Sequence, residues 1–414
     1  MTETDRLLHS QNSHLTFKAN MGVGRHGWLR LTPAYGVRLV RERVSHLPAG
    51  SVVTDPFSGT GTTPLAAAEL GHTGQSVDLN PFLIWLGRTK TRHYSADVLD
   101  TARAEIAAVI DAARGALGND QLWQPNLFKI EKWWGAATLQ GLKALRHGID
   151  QRGDRDEVTD LLEIGLCRTL ISRSNAAFNH QSMSFKAATP EDGLFDLDEA
   201  KDTLTAFAEE TRSIVDSAAY DLIGDAKIVH GDSRTAAAEL MPCDLLLTSP
   251  PYVNRMSYIR ELRPYMYWMR YLDQASDAGD LDWKAIGGTW GTATSKLNSW
   301  KPEVETPVAA EMALICEAIA QDGGKNGPLL ANYVHKYFHD MWLHFQAITP
   351  QVKVGGSVSY IVGNSTFYGH VVPAQDWYAA MLKELGYTDV AVDTIRKRNS
   401  NKALYEYDVR GTRA

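Results

Sequence analysis

A chain of 414 residues exceeds one ordinary domain, so a core carrying at least one added module is expected. Its composition, 44% hydrophobic and 22% charged, is that of a globular protein and excludes a long disordered chain; no apolar run approaches a membrane span. The net charge of −7 does not exclude a nucleic-acid partner, because binding depends on local patches rather than on the sum. Nearly acid-free stretches run from Lys18 through Arg25, His26, Arg30, Arg38, Arg41 and Arg43, from Arg168 through Arg173 and His180 to Lys186, and along Arg396-Lys397-Arg398 with Lys402. The start, Met1-Thr2-Glu3-Thr4-Asp5, is acidic and unlike a secretory leader. Cys167, Cys243 and Cys316 stand too far apart for a disulfide framework or a zinc cluster, and a reducing cytoplasm is the expected home.

In chain order, a strand is predicted at 51–55 and a helix at 62–70. Between them lies Asp55-Pro56-Phe57-Ser58-Gly59-Thr60-Gly61-Thr62-Thr63. Two glycines in a strand-to-helix turn let the backbone approach a ligand where a Cβ would clash. No Lys follows Gly61, so the turn is not a phosphate loop of the Walker type. A second strand, 74–78, ends in Asp78, where a carboxylate can accept from the two hydroxyls of a ribose. A helix follows at 82–90. From about 97 to 222 the apolar spacing is helical, as in Leu139, Leu142, Leu145 and Ile149, with no convincing strand.

Strand signals resume at 227–229 and 244–247. The second of these feeds Thr248-Ser249-Pro250-Pro251-Tyr252, a stiff turn whose prolines cannot donate to a ladder. Ser249 offers a hydroxyl that can accept from an amino group, and Tyr252 a face for a flat ring, a pairing suited to a planar heterocycle with an exocyclic amine. The bland alternative is a proline-rich turn that merely closes a strand. Residues 256–330 read as helical and loop-rich; then come a helix at 331–349, a strand at 357–363, a helix at 373–386 and strands near 389–395 and 403–409. Strands alternating with helices make an α/β fold with a mostly parallel, doubly wound sheet.

In combination these motifs resemble those of the amino-group DNA methyltransferases that use S-adenosylmethionine. Asp55 to Thr63 is similar to their first motif, the loop for the cofactor's methionine part. Asp78-Leu79-Asn80-Pro81-Phe82 is similar to the second, which implies Asp78 on the ribose and Pro81-Phe82 near the adenine. His230-Gly231-Asp232-Ser233-Arg234 is similar to the third, which implies Asp232 at the adenine amino group. Ser249-Pro250-Pro251-Tyr252 is similar to the catalytic fourth. The resemblance implies a Rossmann-like methyltransferase sheet closed by an antiparallel hairpin, a large helical insertion, and cytosine N4 ahead of adenine N6 as the methylated atom, because Ser opens the fourth motif. It also implies double-stranded DNA as partner and a cognate restriction endonuclease as a companion. Many Ser-Pro-Pro-Tyr members are circularly permuted with that motif first; here the cofactor loop leads. The stretch Trp28 to Val44 matches the family's cofactor-covering helix only loosely. Alternatives are methylation of RNA and a silent fold that only holds nucleic acid.

Residues 1–94, 226–255 and 331–414 are assigned to the catalytic domain, 95–225 to the helical insertion and 256–330 to a second insertion. In the first insertion, Arg173, Asn175, Asn179, Gln181 and Lys186 lie in an acid-free run of the side chains that read base edges or hold phosphates; a polar loop between helices is the alternative. Asn254, Arg255 and Arg260 adjoin the catalytic turn and are candidate strand contacts, or else partners for Glu261 and nearby acids. Cys243 precedes a buried strand and reads as structural. His335 and His339 have the spacing of a zinc pair, but no Glu follows His335 and no third ligand is evident, so no metal is assigned.

Overall fold

The computed structural model describes residues 17–31, 35–153, 155–177, 184–185, 197–289, 292–398 and 403–414. Seven strands form one sheet: β1 Val52–Asp55, β2 Thr73–Asp78, β3 Ala226–His230, β4 Cys243–Thr248, β5 Val352–Gly363, β6 Tyr387–Lys397 and β7 Tyr405–Arg413. Their spatial order is β6–β7–β5–β4–β1–β2–β3. The pairs β1·β2, β2·β3, β1·β4 and β4·β5 are parallel, whereas β7 runs antiparallel to both β5 and β6. This is the mixed α/β, Rossmann-like sheet with a closing hairpin that the sequence implied. The chain reverses its direction of travel across the sheet between β1 and β4. In doubly wound sheets that switch point opens a crevice at the carboxyl ends of the strands.

The apolar run of β4 follows from burial on both faces. Leu245 and Leu247 pack with Val53, Ala66, Ala67 and the helix Val37–Val44. Leu246 points the other way, into a core built with Phe338, Met341 and Phe345 of the helix Gly327–Ile348. A third and larger core joins Trp28 and Leu31 to Phe82, Leu83 and Leu86 of the helix Pro81–Thr91. It continues through the helices Ala96–Ala116, Ala136–Asp150, Glu157–Ser172 and Leu197–Ala218. It ends on Ile259 to Trp268 of the helix Tyr258–Trp268. Segment 95–225 and residues 259–278 therefore share one core with the helix that follows β2, whereas Ile286, Leu297, Val308, Met312 and Ile319 pack into the core that holds Leu246.

Two details differ from the sequence expectation. The stretch 97–222 contains a small antiparallel ribbon, Ala176–Ala177 against Ser184–Phe185, too short to show a two-residue period. Strand β5 starts at Val352 rather than at 357: it passes through Gly355-Gly356 at a shift in its register with β4, so the glycines mark an irregularity inside the strand rather than its boundary. Among the described residues no helix is long and apolar enough to cross a membrane.

Candidate active site

The turn after β1 is held from three sides. Ser58 N donates to Val77 O at 2.9 Å, and Gly59 N donates to Asp78 Oδ2 at 2.9 Å. Gly61 caps the helix Thr62–Glu69 with φ 72°, a left-handed conformation that a Cβ would strain. Asp55 lies beneath the turn: its Oδ1 accepts from Phe57 N at 3.0 Å and from Thr248 Oγ1 at 2.6 Å, which ties the ends of β1 and β4 together. Burial raises the Asp55 carboxyl, against those hydrogen bonds.

The second acid is better placed for a ligand. Asp78 Oδ1 accepts from Asn80 N at 2.8 Å, and burial pushes its carboxyl up to about 6 although the backbone N–H groups of Asn80, Gly59 and Leu79 favour the charged form. Asn80 caps the helix Pro81–Thr91 by accepting from Phe82 N at 3.0 Å, and Pro81 takes the first helical position, where no N–H is needed. Asp232 is held by Arg234, whose Nε and Nη2 reach its two oxygens at 2.9 and 2.6 Å. Arg234 also meets Asp340 at 3.0 Å, so the turn after β3 is anchored to the helix Gly327–Ile348.

These turns meet in one cleft. Pro56, Phe57, Ser58, Gly59 and Thr60 line it from the first turn, Asp78 and Asn80 from the second, Asp232 from the third, and Ser249 with Pro251 from the fourth. Asp55, Gly61, Thr62, Pro81, Pro250 and Tyr252 are not in the lining. Leu31 and Tyr35, from the stretch loosely matched to the family's cofactor-covering helix, also line the cleft, and so do Tyr258, Glu261, Leu262 and Lys284 from the stretch after the Ser-Pro-Pro-Tyr turn, which the motifs did not announce. Glu261 faces this cleft, and burial moves its carboxyl up to about 7 against the pull of Arg260 and Arg30.

Tyrosines brace the Ser-Pro-Pro-Tyr turn. Tyr337 donates to Pro251 O at 2.6 Å, Tyr252 N donates to Tyr258 OH at 3.3 Å, and Arg255 N donates to Tyr333 OH at 3.1 Å. Ser249 Oγ lies 3.5 Å from the Tyr252 hydroxyl, which donates to Glu406 Oε1 at 2.8 Å. The Arg398 guanidinium sits 5.0 Å from the centre of the Tyr252 ring. Tyr333, Tyr337 and Glu406 could not be found by local spacing, since they lie 78, 86 and 154 residues from their partners.

The candidate nucleic-acid residues divide. Asn254 and Arg255 leave the catalytic turn directly; Asn254 Oδ1 accepts from Met256 N, and Arg255 is exposed with φ 60°. Arg260 is half-buried in the first turn of its helix. Arg173 donates to Asp202 O at 2.9 Å, and Asn175 N donates to Trp133 O at 2.8 Å. Asn179, Gln181 and Lys186 lie outside the described residues.

Much of the basic character of the acid-free stretches is spent inside the protein. Arg25 donates to four carbonyls, those of Lys90, Arg92, Ala218 and Tyr220. Arg41 pairs with Glu69, Arg43 with Asp408, Arg168 with Glu210 and Arg396 with Glu406. Cys243 is buried at the start of β4, and burial pushes its thiol up to about 11. The rings of His335 and His339 flank Trp300 at 5.4 and 5.3 Å, and Glu303 N donates to His339 Nε2. Among the described residues no group of three His, Cys, Asp or Glu side chains is placed to hold a metal ion.

No family model matches the chain. Over 439 aligned positions it is 20% identical to the Type II methyltransferase M.BsoBI of Geobacillus stearothermophilus. The alignment covers 94% of this chain and 84% of that protein. The likeness runs nearly end to end and supports kinship with Type II methyltransferases.

Proposed function

We propose that the chain is an S-adenosylmethionine-dependent DNA methyltransferase acting on the exocyclic amine of a base turned out of the duplex, cytosine N4 ahead of adenine N6. The observation that carries the reading is that Ser249 and Pro251 line the same cleft as Gly59 and Asp78, so an amine acceptor and a nucleoside acceptor share one space. The residues present suit such a cofactor: Asp78 for ribose hydroxyls, Leu31, Leu79, Leu83 and Leu262 for an apolar purine, and the cleft-facing Glu261 carboxylate for a cation. When bound, the cofactor supplies an electrophilic methyl group.

The chain's own contribution is acceptance and positioning. An exocyclic amine is a weak nucleophile because its lone pair is delocalised into the ring. The Ser249 hydroxyl and the Pro250 carbonyl accept its two hydrogens, which favours the tetrahedral nitrogen. Rate then comes mainly from holding that nitrogen in line with the methyl group. A base inside a duplex must leave its stack to reach the cleft, and Tyr252 offers a ring beside it. Double-stranded DNA is the partner in this reading, Asn254, Arg255 and Arg260 are its nearest contacts, and a cognate restriction endonuclease completes the system.

The test is nucleoside mass spectrometry on unmethylated plasmid DNA incubated with the protein and S-adenosylmethionine. N4-methylcytosine is the expected product; N6-methyladenine corrects the base, and no modified deoxynucleoside on varied plasmids overturns the reading. In the same assay Ser249→Ala abolishes transfer while cofactor affinity, read by calorimetry, stays within about threefold, because the hydroxyl acts on the amine rather than on the cofactor.

A further inference from the structure

The register of the closing hairpin places a carboxylate behind the catalytic turn. Glu406 on β7 pairs with Arg396 on β6 and with Gly363 on β5, so the three residues form one row across the sheet. Strand β4 stops short of that row, its last paired residue being Thr248 opposite Tyr360. Tyr252 fills the space beyond, and the missing side chain at Gly363 makes this possible: a Cβ there would collide with the Arg398 guanidinium and crowd the Tyr252 ring. Glu406 is buried, 5% exposed, and Arg396 engages both its oxygens at 2.7 and 3.2 Å.

The hydrogen bonds run in one direction. Ser249 donates to the Tyr252 hydroxyl at 3.5 Å, and Tyr252 donates to Glu406 Oε1 at 2.8 Å. This leaves the Ser249 oxygen free to accept from an amine. The first link is long, as such bonds often are before substrate tightens them.

We propose that Ser249, Tyr252 and Glu406 form a proton relay that carries away the hydrogen the target amine loses on methylation, with Glu406 acting through Tyr252. The inference rests on the amine-methylation reading above. As the new N–C bond forms, the C–S bond breaks with its electron pair going to sulfur, and the nitrogen is left one proton in excess. That proton passes to Ser249 Oγ, the Ser249 proton to the Tyr252 oxygen, and the Tyr252 proton to Glu406 Oε1, from which water later takes it. An alkylated exocyclic ammonium is a far stronger acid than any carboxylic acid, so a carboxylate that shares Arg396 is still a sufficient acceptor.

The experiment compares wild type, Glu406→Gln and Tyr252→Phe in single-turnover methylation of DNA, with cofactor and DNA affinities measured separately. Proton transfer by a positioned group is worth on the order of a hundredfold or more. The expected result is a single-turnover rate at least tenfold lower in both variants, a changed solvent isotope effect, and affinities within threefold of wild type. On the cofactor-free protein, carbon-labelled tyrosine NMR assigned with Tyr252→Phe reads the contact itself: Tyr252 titrates lower in Glu406→Gln, because the neighbouring carboxylate charge is gone. A wild-type chain that methylates DNA with Glu406→Gln within twofold of it overturns the relay and leaves the function standing. Slow variants that have also lost cofactor or DNA affinity overturn the relay in favour of a structural brace. A wild-type chain that transfers no methyl group overturns the function, and the relay with it.

Discussion

At the scale of single residues, Asp78 sets a pH dependence. Its ionised carboxylate accepts from Gly59 N and Asn80 N and faces the cleft, and burial has moved it up to about 6. Hydroxyl groups of a ribose donate to the charged form. Protonation below about pH 6 therefore removes acceptor capacity, and cofactor affinity is expected to fall as pH drops from 7 to 5, by up to about tenfold per unit below the midpoint. Glu261 moves to about 7 in the same cleft, so the titration is repeated in Glu261→Gln to isolate the Asp78 step. Calorimetry with Asp78→Asn in the Glu261→Gln background should give weak binding that is flat over this range; a flat profile in Glu261→Gln alone would contradict the assignment. The sign for folding is opposite. The native carboxyl holds its proton between 3.8 and about 6 where the unfolded one has lost it, so in the unliganded chain this group's contribution to stability falls as pH rises through that window. Asp78 was legible in the sequence because an acid ending a short strand after a glycine turn has a known geometric consequence. Tyr258, Glu261 and Glu406 were not, since nothing local to 258, 261 or 406 announces that the chain returns there to the cleft.

At the scale of elements, the turn after β1 depends on the helix Pro81–Thr91. Lys90, fully buried on that helix, donates to Thr60 O at 3.0 Å and to His26 O at 3.4 Å. Carbonyls alone do not offset the loss of water, and burial pulls the ammonium down to about 7 from 10.5. Between those values the unfolded chain binds a proton that the native chain does not, so unfolding free energy rises with pH, at a slope of up to about 1.4 kcal/mol per unit. Lys90→Met is expected to abolish that rise in urea unfolding between pH 7 and 9. It also leaves Thr60 O without its donor, and cofactor affinity should fall several-fold. A wild-type profile that stays level would show that Lys90 keeps its proton. Several elements were readable: β1 and β4 carry short apolar runs bounded by turn residues, and Asn80 and Pro81 mark a helix start. The basic stretches were the harder problem. Charge in a sequence does not say whether a guanidinium meets solvent or, like Arg25, four carbonyls of its own chain.

At the scale of the molecule, the helical insertion is expected to unfold together with the helix that follows β2. Composition and periodicity showed that 97–222 is helical, yet they could not show what its apolar face covers. That face is shared: Leu145 of the insertion, Phe82 and Leu86 of the helix after β2, and Met266 after the catalytic turn belong to one core. Within the insertion the Arg146–Glu163 pair, at 2.8 Å and with side chains 3% and 1% exposed, fixes one helix on another. A core that crosses the boundary transmits damage across it. Leu145→Ala removes a fully buried side chain, at a cost of about 2–5 kcal/mol depending on how far the site collapses. Heating the variant while following both the far-ultraviolet signal and cofactor binding should give a single transition, displaced equally in the two readouts. Two separated transitions would mean that the insertion folds on its own. Equal displacement would mean instead that the insertion and the cofactor turn form one cooperative unit, with Asn80 joined to the shared core by its side-chain amide nitrogen, 3.5 Å from Met266 Sδ. The cofactor turn and the insertion would then be two ends of one rigid unit, and loading the cleft would be expected to stiffen both.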